Sequence, residues 1–87
     1  MTTHVTVYTL PDCGNCERTH QFLTRSGIPH TTAPIQDTGP VRDLIARLGH
    51  RQAPVVTVTG ADGELIEHWS GLRPDLILAL ASTTRTN

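Results

Sequence analysis

The chain reads as an α/β domain, a four-stranded mixed sheet with three helices in the order β-α-β-α-β-β-α. Three observations predict it. Runs of β-branched residues alternate with stripes of helical period, the pattern of strand–helix–strand units. Two β-type runs near the end are joined by the turn Gly60-Ala61-Asp62-Gly63, which adds a hairpin. The only two cysteines form Cys13-Gly14-Asn15-Cys16, on the turn between the first strand and the first helix.

Val5-Thr6-Val7-Tyr8-Thr9-Leu10 is β-branched and aromatic, and it stops at Pro11-Asp12, so it is the first strand. A helix follows from about Gly14 to Ser26. Cys16, Thr19/His20, Phe22 and Leu23 mark its apolar face, and Gly27 suits a left-handed cap. Residues Ile28 to Ile35 form a weaker strand interrupted by Pro29 and Pro34, which an edge position tolerates. Asp37-Thr38-Gly39-Pro40 opens the second helix, with Pro40 at its first position. Val41, Leu44, Ile45 and Leu48 then recur at i, i+3, i+4 and i+7, and Gly49 closes the stripe. Arg42, Arg47 and Arg51 belong to its solvated side. Val55–Thr59 and Leu65–Trp69 are the hairpin strands. Pro74 starts the last helix, with Asp75 in its first turn and Leu76, Ile77, Leu80 and Ala81 inward. The first two strands must be parallel, joined by a right-handed crossover.

One domain spans residues 1–87, with a frayed polar tail at 82–87. Hydrophobic residues make up 37% of the chain and the aromatics are Tyr8, Phe22 and Trp69 alone, so stability must come from aliphatic packing. The net charge of −1 gives no electrostatic footprint for nucleic acid. Two cysteines are too few for a disulfide-stapled secreted scaffold. Met1-Thr2-Thr3-His4 has neither a basic nor an apolar leader region, and no apolar run approaches the ~20 residues that span a bilayer. Together these features predict a cytoplasmic protein with a working dithiol.

A cysteine at a helix N-terminus is chemically distinctive. Free backbone N–H groups and the helix dipole favour an anion there, and the thiolate is the reactive form. Cys13 is then the nucleophile, its pKa depressed, and Cys16 the resolving thiol. Asp12 and Glu17 oppose ionisation, while Arg18 favours it. Two other readings stand beside this one. The pair can be inert, or it can be half of a metal or [2Fe–2S] site shared across a dimer, with His20 as a further ligand. His20 also has two readings, an ordinary helix residue or a proton acceptor for Cys16. His4, His30, His50 and His68 receive no role.

Three segments carry a resemblance: Val5–Thr9 leading into Pro11 and the cysteines, Leu48–Val56, and His68-Trp69-Ser70-Gly71-Leu72-Arg73-Pro74-Asp75. On these the chain resembles the thioredoxin/glutaredoxin superfamily, and within it the NrdH-redoxins, over nearly its whole length. The resemblance implies a thioredoxin-like fold and a monomeric dithiol–disulfide oxidoreductase. It implies no bound cofactor, NADPH acting only through a partner reductase. The partners it implies are thioredoxin reductase and a class Ib ribonucleotide reductase, with neither nucleic acid nor membrane. It also implies a cis Ala53–Pro54 bond facing the cysteines, with the Ala53 backbone pairing with substrate, and substrate-binding positions at Trp69, Ser70, Gly71, Arg73 and Asp75. The residues alone also allow a structural reading of Trp69, Ser70, Arg73 and Asp75, a packed indole and polar groups that fix the start of the last helix. In related glutaredoxins that last neighbourhood binds glutathione, and a glutaredoxin- or mycoredoxin-like enzyme recycled by a small thiol is the nearest alternative. The chain departs from the family at Leu10, where a lysine is common, at Gly14-Asn15, and at Leu72, where phenylalanine is frequent.

Overall fold

The computed structural model describes the backbone of residues 3–85 and the side chains of residues 3–82. Its elements are β1 (Thr3–Thr9), α1 (Gly14–Arg25), β2 (Thr31–Pro34), α2 (Pro40–Leu48), β3 (Val55–Gly60), β4 (Leu65–Ser70) and α3 (Pro74–Arg85). The sheet order is β2-β1-β3-β4. β1 and β2 are parallel, whereas β3 runs antiparallel to both β1 and β4. Element order, the parallel first pair and the edge position of the proline-bearing strand all agree with the sequence reading.

Register assigns the two faces. Val5 pairs with Val58 and Val7 with Val56, which pairs in turn with Trp69. Alternation therefore puts these five on one face. With Leu23 and Ile28 from the α1 region and Ile77 and Ala81 from α3, they form the main core; Phe22, Leu76 and Leu80 pack at its margin. On the opposite face Val55 and Thr57 are buried, and α2 contributes buried Ile45, outside that core. His68, opposite Thr57, faces the same way, and its Nδ1 lies 2.8 Å from His50 Nε2 just beyond α2.

Glycine caps set these joins. At the end of α1, Gly27 takes φ 75° and donates to Thr24 O, while Ile28 donates to Leu23 O. Gly49 does the same for α2 at φ 81°, so that the His50 N–H reaches Ile45 O. Both are two-bond left-handed closures that satisfy terminal carbonyls. The second turns the chain so that His50 meets His68.

Two expectations change. The second strand is Thr31–Pro34, not Ile28–Ile35, because the Ile28 N–H is used in closing α1 and Pro29 has none to give. The last helix runs on through Arg85, past residue 82 where the polar tail was expected to begin, since extending a nucleated helix is cheap even through Ser and Thr; Thr86 and Asn87 lie outside the described residues. On α1 the buried positions are Cys16, Thr19 and Leu23, with His20 exposed. The hairpin turn is tied by Gly60 N–H to Glu64 O and by Glu64 N–H to Asp62 Oδ1, and a register shift falls between Val58 and Thr59. The outer strand β4 exposes Leu65 and Ile66.

Leu23 is fully buried in the main core. Leu23→Ala should lower the unfolding free energy by about 2–5 kcal/mol, measured by urea titration. The His50 pair yields a pH effect. Burial, and then the neighbouring His68 charge, hold the His50 pKa below its ordinary 6.5. As pH falls the unfolded chain binds that proton first, so stability drops on acidification through about 6.5 and levels off below the folded pKa. Between pH 7.5 and 5.5 the wild type should lose more stability than His50→Gln.

Candidate active site

β1 ends at Thr9, and Leu10-Pro11-Asp12 carries the chain to α1. Asp12 adopts φ 56°, a left-handed conformation that Asp tolerates better than most residues. Cys13 follows in extended conformation as the N-cap of α1, and its sulfur accepts the Cys16 N–H at 3.1 Å. The two cysteines are joined as a disulfide with Cα atoms 5.2 Å apart. They are not equivalent, for Cys13 is half-buried while Cys16 is 5% exposed. The outer sulfur is the one an incoming group meets, and the N–H that caps it also favours a thiolate there.

Beside the sulfurs lies an open cleft of about 560 Å³, lined by Thr9, Leu10, Pro11, Asp12, Glu17, His20 and Thr32. Leu10 is 41% exposed and gives this cleft an apolar lip. Arg18 is engaged beside the cysteines. Its Nη1 donates to Asn15 Oδ1 at 3.1 Å, and it lies 3.6 Å from where a Cβ on Gly14 would stand. The guanidinium thus lies over the Gly14-Asn15 turn, adding positive charge to the first turn of α1 against Asp12 and Glu17. Nothing in the sequence pattern singled out Asn15 as its holder, although the i, i+3 spacing permits it.

The remaining predicted residues gather at the same end of the sheet but outside that cleft. Tyr8 pairs with Val55 and Val55 with Ser70, so the exit of β1, the entry of β3 and the exit of β4 adjoin. Ala53–Pro54 is cis, as the resemblance implied. Pro54 O accepts the Gly71 N–H at 2.9 Å. Gly71 holds φ 79°, and a Cβ there would meet the Gln52 side chain at 3.5 Å. This bond locks the Trp69-Ser70-Gly71 segment onto the cis-proline loop. Ala53 and Ser70 are half-buried, and Pro54 and Gly71 are buried.

Of the two readings of Trp69, a packed indole or a surface contact, the structure has the packed indole. It is 4% exposed and sits in the main core, because its register opposite Val56 turns it inward. Its Nε1, like Thr19 Oγ1, has no hydrogen-bond partner among the described residues. Arg73 and Asp75 are exposed and joined by two bonds, Nε to Oδ1 at 3.2 Å and Nη2 to Oδ2 at 3.0 Å. The Arg73 hydrogen bond holds the Asp75 carboxyl below the usual carboxylate range. So exposed a pair adds little stability, and its significance lies in what it leaves unavailable to a ligand.

The structure also pairs His20 with His30, which sequence reasoning left without a role. His20 Nδ1 lies 2.7 Å from His30 Nε2, and His30 Nδ1 lies 2.9 Å from Ile28 O. Among the described residues, no group of three or more His, Cys, Asp or Glu side chains is placed to hold a metal ion. No described helix is long and apolar enough to cross a membrane.

With a helix-capping cysteine pair at the end of a four-stranded mixed sheet, comparison with known proteins is decisive. The glutaredoxin family model matches residues 5–66. The chain belongs to the glutaredoxin family. Within it the redoxin is 32% identical over 73 residues to the glutaredoxin-like protein NrdH of Escherichia coli K12, covering 84% of this chain and 83% of that one. It is likewise 32% identical to NrdH of Salmonella typhimurium LT2, over 91% and 90% of the two chains. The solved NrdH-redoxin of E. coli superposes with a TM-score of 0.73 at 30% identity, covering 88% of this redoxin and 93% of that chain. Thioredoxin f2 of Chlamydomonas reinhardtii, at 16% identity and a TM-score of 0.69, shares the fold. This is a thioredoxin-like fold and an NrdH-type redoxin, a thiol–disulfide oxidoreductase. The family match ends at Ile66, before the segment Trp69-Ser70-Gly71-Leu72-Arg73-Pro74-Asp75 that carries the narrower resemblance to NrdH-redoxins.

The unequal burial of the two sulfurs has a direct readout. After reduction, iodoacetamide at pH 7 should alkylate Cys13 faster than Cys16 by about tenfold or more, followed by peptide mass spectrometry.

Proposed function

We propose that this redoxin carries electrons from a thioredoxin reductase to a class Ib ribonucleotide reductase, as a monomer in the cytoplasm. Reduced Cys13 attacks a disulfide of the partner and forms a mixed disulfide, releasing one partner sulfur as a thiolate. Cys16 then attacks the Cys13 sulfur, forms the Cys13–Cys16 bond and releases the second partner sulfur. NADPH enters only through the reductase, and the redoxin needs no bound cofactor. The Ala53 backbone pairs with an extended partner segment, while Ser70, Gly71, Arg73 and Asp75 border it. Trp69 supports that border from within the core.

The bidentate Arg73–Asp75 pair is the observation that favours this reading over recycling by glutathione. In related glutaredoxins this neighbourhood holds the carboxylate and amine of glutathione. Here the Nε–Nη2 edge of Arg73 and the Asp75 carboxylate already engage each other, so a tripeptide's charged ends compete with an existing pair for these groups. The apolar lip at Leu10 separates this redoxin from relatives with a lysine there, and it suits a partner with an apolar contact beside its disulfide.

NADPH oxidation with insulin as disulfide substrate tests the assignment in two arms. Turnover with thioredoxin reductase and little with glutathione plus glutathione reductase is the expected outcome, and the reverse would make the protein a small-thiol-dependent glutaredoxin. In the same assay Cys13→Ser should be inactive. Cys16→Ser should accumulate a mixed disulfide with the partner, and full turnover by that variant would rule out the dithiol cycle.

A further inference from the structure

Cys16 is buried, yet in the dithiol cycle it must lose a proton before it can attack. An ordinary thiol is mostly protonated at neutral pH, so a nearby acceptor matters for this step. His20 follows Cys16 by one helical turn and lines the same cleft as both sulfurs. Its hydrogen bonds fix which of its nitrogens is free. Ile28 O can only accept, so His30 Nδ1 carries a proton and donates to it. In the neutral ring His30 Nε2 is then bare and must accept, so His20 Nδ1 is the donor across their 2.7 Å contact. His20 Nε2 is left unprotonated as its one nitrogen not engaged by His30.

We propose that His20, held in this tautomer by His30 and the Ile28 carbonyl, is the proton acceptor for Cys16 when the mixed disulfide is resolved. The relay, which rests on the dithiol cycle proposed above, runs as follows. The Cys16 S–H proton passes to His20 Nε2, directly or through one water. The Cys16 sulfur attacks the Cys13 sulfur, the Cys13–Cys16 bond forms, and the bond from Cys13 to the partner sulfur breaks. That sulfur leaves with the bonding electron pair and takes up a proton from the His20 imidazolium, which returns to its starting state. While His20 carries the extra proton, its Nδ1–H goes on donating to the His30 imidazole, which is anchored on the Ile28 carbonyl. His30 is a positioning residue, since it acts through His20. The other charged groups that share a cavity with His20 are Asp12 and Glu17 in the cleft and Arg25 in a second, shallower one, while β2 contributes the uncharged Thr32.

Stopped-flow reaction of the reduced protein with 5,5′-dithiobis(2-nitrobenzoate) separates the steps. The first thionitrobenzoate released reports attack by Cys13, and the second reports resolution by Cys16. His20→Gln should leave the first phase unchanged at pH 7 and slow the second by about a hundredfold, the low end for a lost general base. The deficit should close near pH ~10, where a thiol ionises unaided. His30→Gln keeps an acceptor oxygen for His20 Nδ1 and should retain the second phase, whereas His30→Leu should slow it. Nitrogen-15 spectra of the wild type should place the His20 proton on Nδ1. A second phase equal in wild type and His20→Gln across the pH range, or a proton on Nε2 in the neutral protein, overturns the relay. A wild type that releases only one thionitrobenzoate instead overturns the dithiol cycle itself, whatever His20 does.

Discussion

The rung that pairs Tyr8 with Val55 sets the position of every group at the redox end. β1 ends one residue beyond that rung and β3 begins at it. The loop to Cys13 and the loop through Pro54 must therefore emerge side by side. The next ladder repeats the constraint, because Val55 also pairs with Ser70, and the Gly71 N–H then reaches Pro54 O. A one-residue slip in either ladder would turn the core valines outward and part these loops at once. The hydrophobic pattern that stabilises the sheet thereby also fixes the site's geometry.

The two faces of the sheet solve different problems. The face under α1 and α3 is aliphatic apart from Trp69, and its packing holds Cys16 from below through Leu23 on the same helix. The face toward α2 is mixed, combining Val55 and Thr57 with the His50–His68 contact. That contact lies within a few residues of both Pro54 and Ser70. The loop bearing the proposed substrate shelf is thus held to β4 from two sides, by an imidazole pair behind it and by Gly71 in front.

Much of this was legible in the sequence because it is written in local patterns. The stripe Val41, Leu44, Ile45, Leu48 needs only helical period, and the hairpin needs only two β-branched runs around a glycine-rich turn. The cysteine pair is equally local, and its reading needed only the strand before it and the helix after it. What stayed open was long-range or polar. Thr19 is fully buried on α1, where helical period alone left Thr19 and His20 as alternatives for one face. The Trp69 orientation depends on the register with Val56, which pairing alone decides. The histidine pairs join residues ten and eighteen positions apart, through a crossover and a helix–strand contact that no periodicity encodes. Ala53–Pro54 was read as cis only through resemblance, since an isolated X–Pro bond gives no such signal.

The sheet's two borders are unequal. β2 is four residues long, ends at Pro34 and is preceded by Pro29, so it offers a neighbouring chain few backbone donors. β4 is six residues long, contains no proline and presents Leu65 and Ile66 to solvent. Another strand added at β4 would find a usable ladder, whereas one added at β2 would not. A sheet with one receptive border can be extended once and then stops, because the new outer limits of a symmetric pair are both β2. Head-to-tail growth into a continuous sheet needs two receptive borders, so the short proline-flanked strand beside the redox cleft also protects the chain against fibrous self-association.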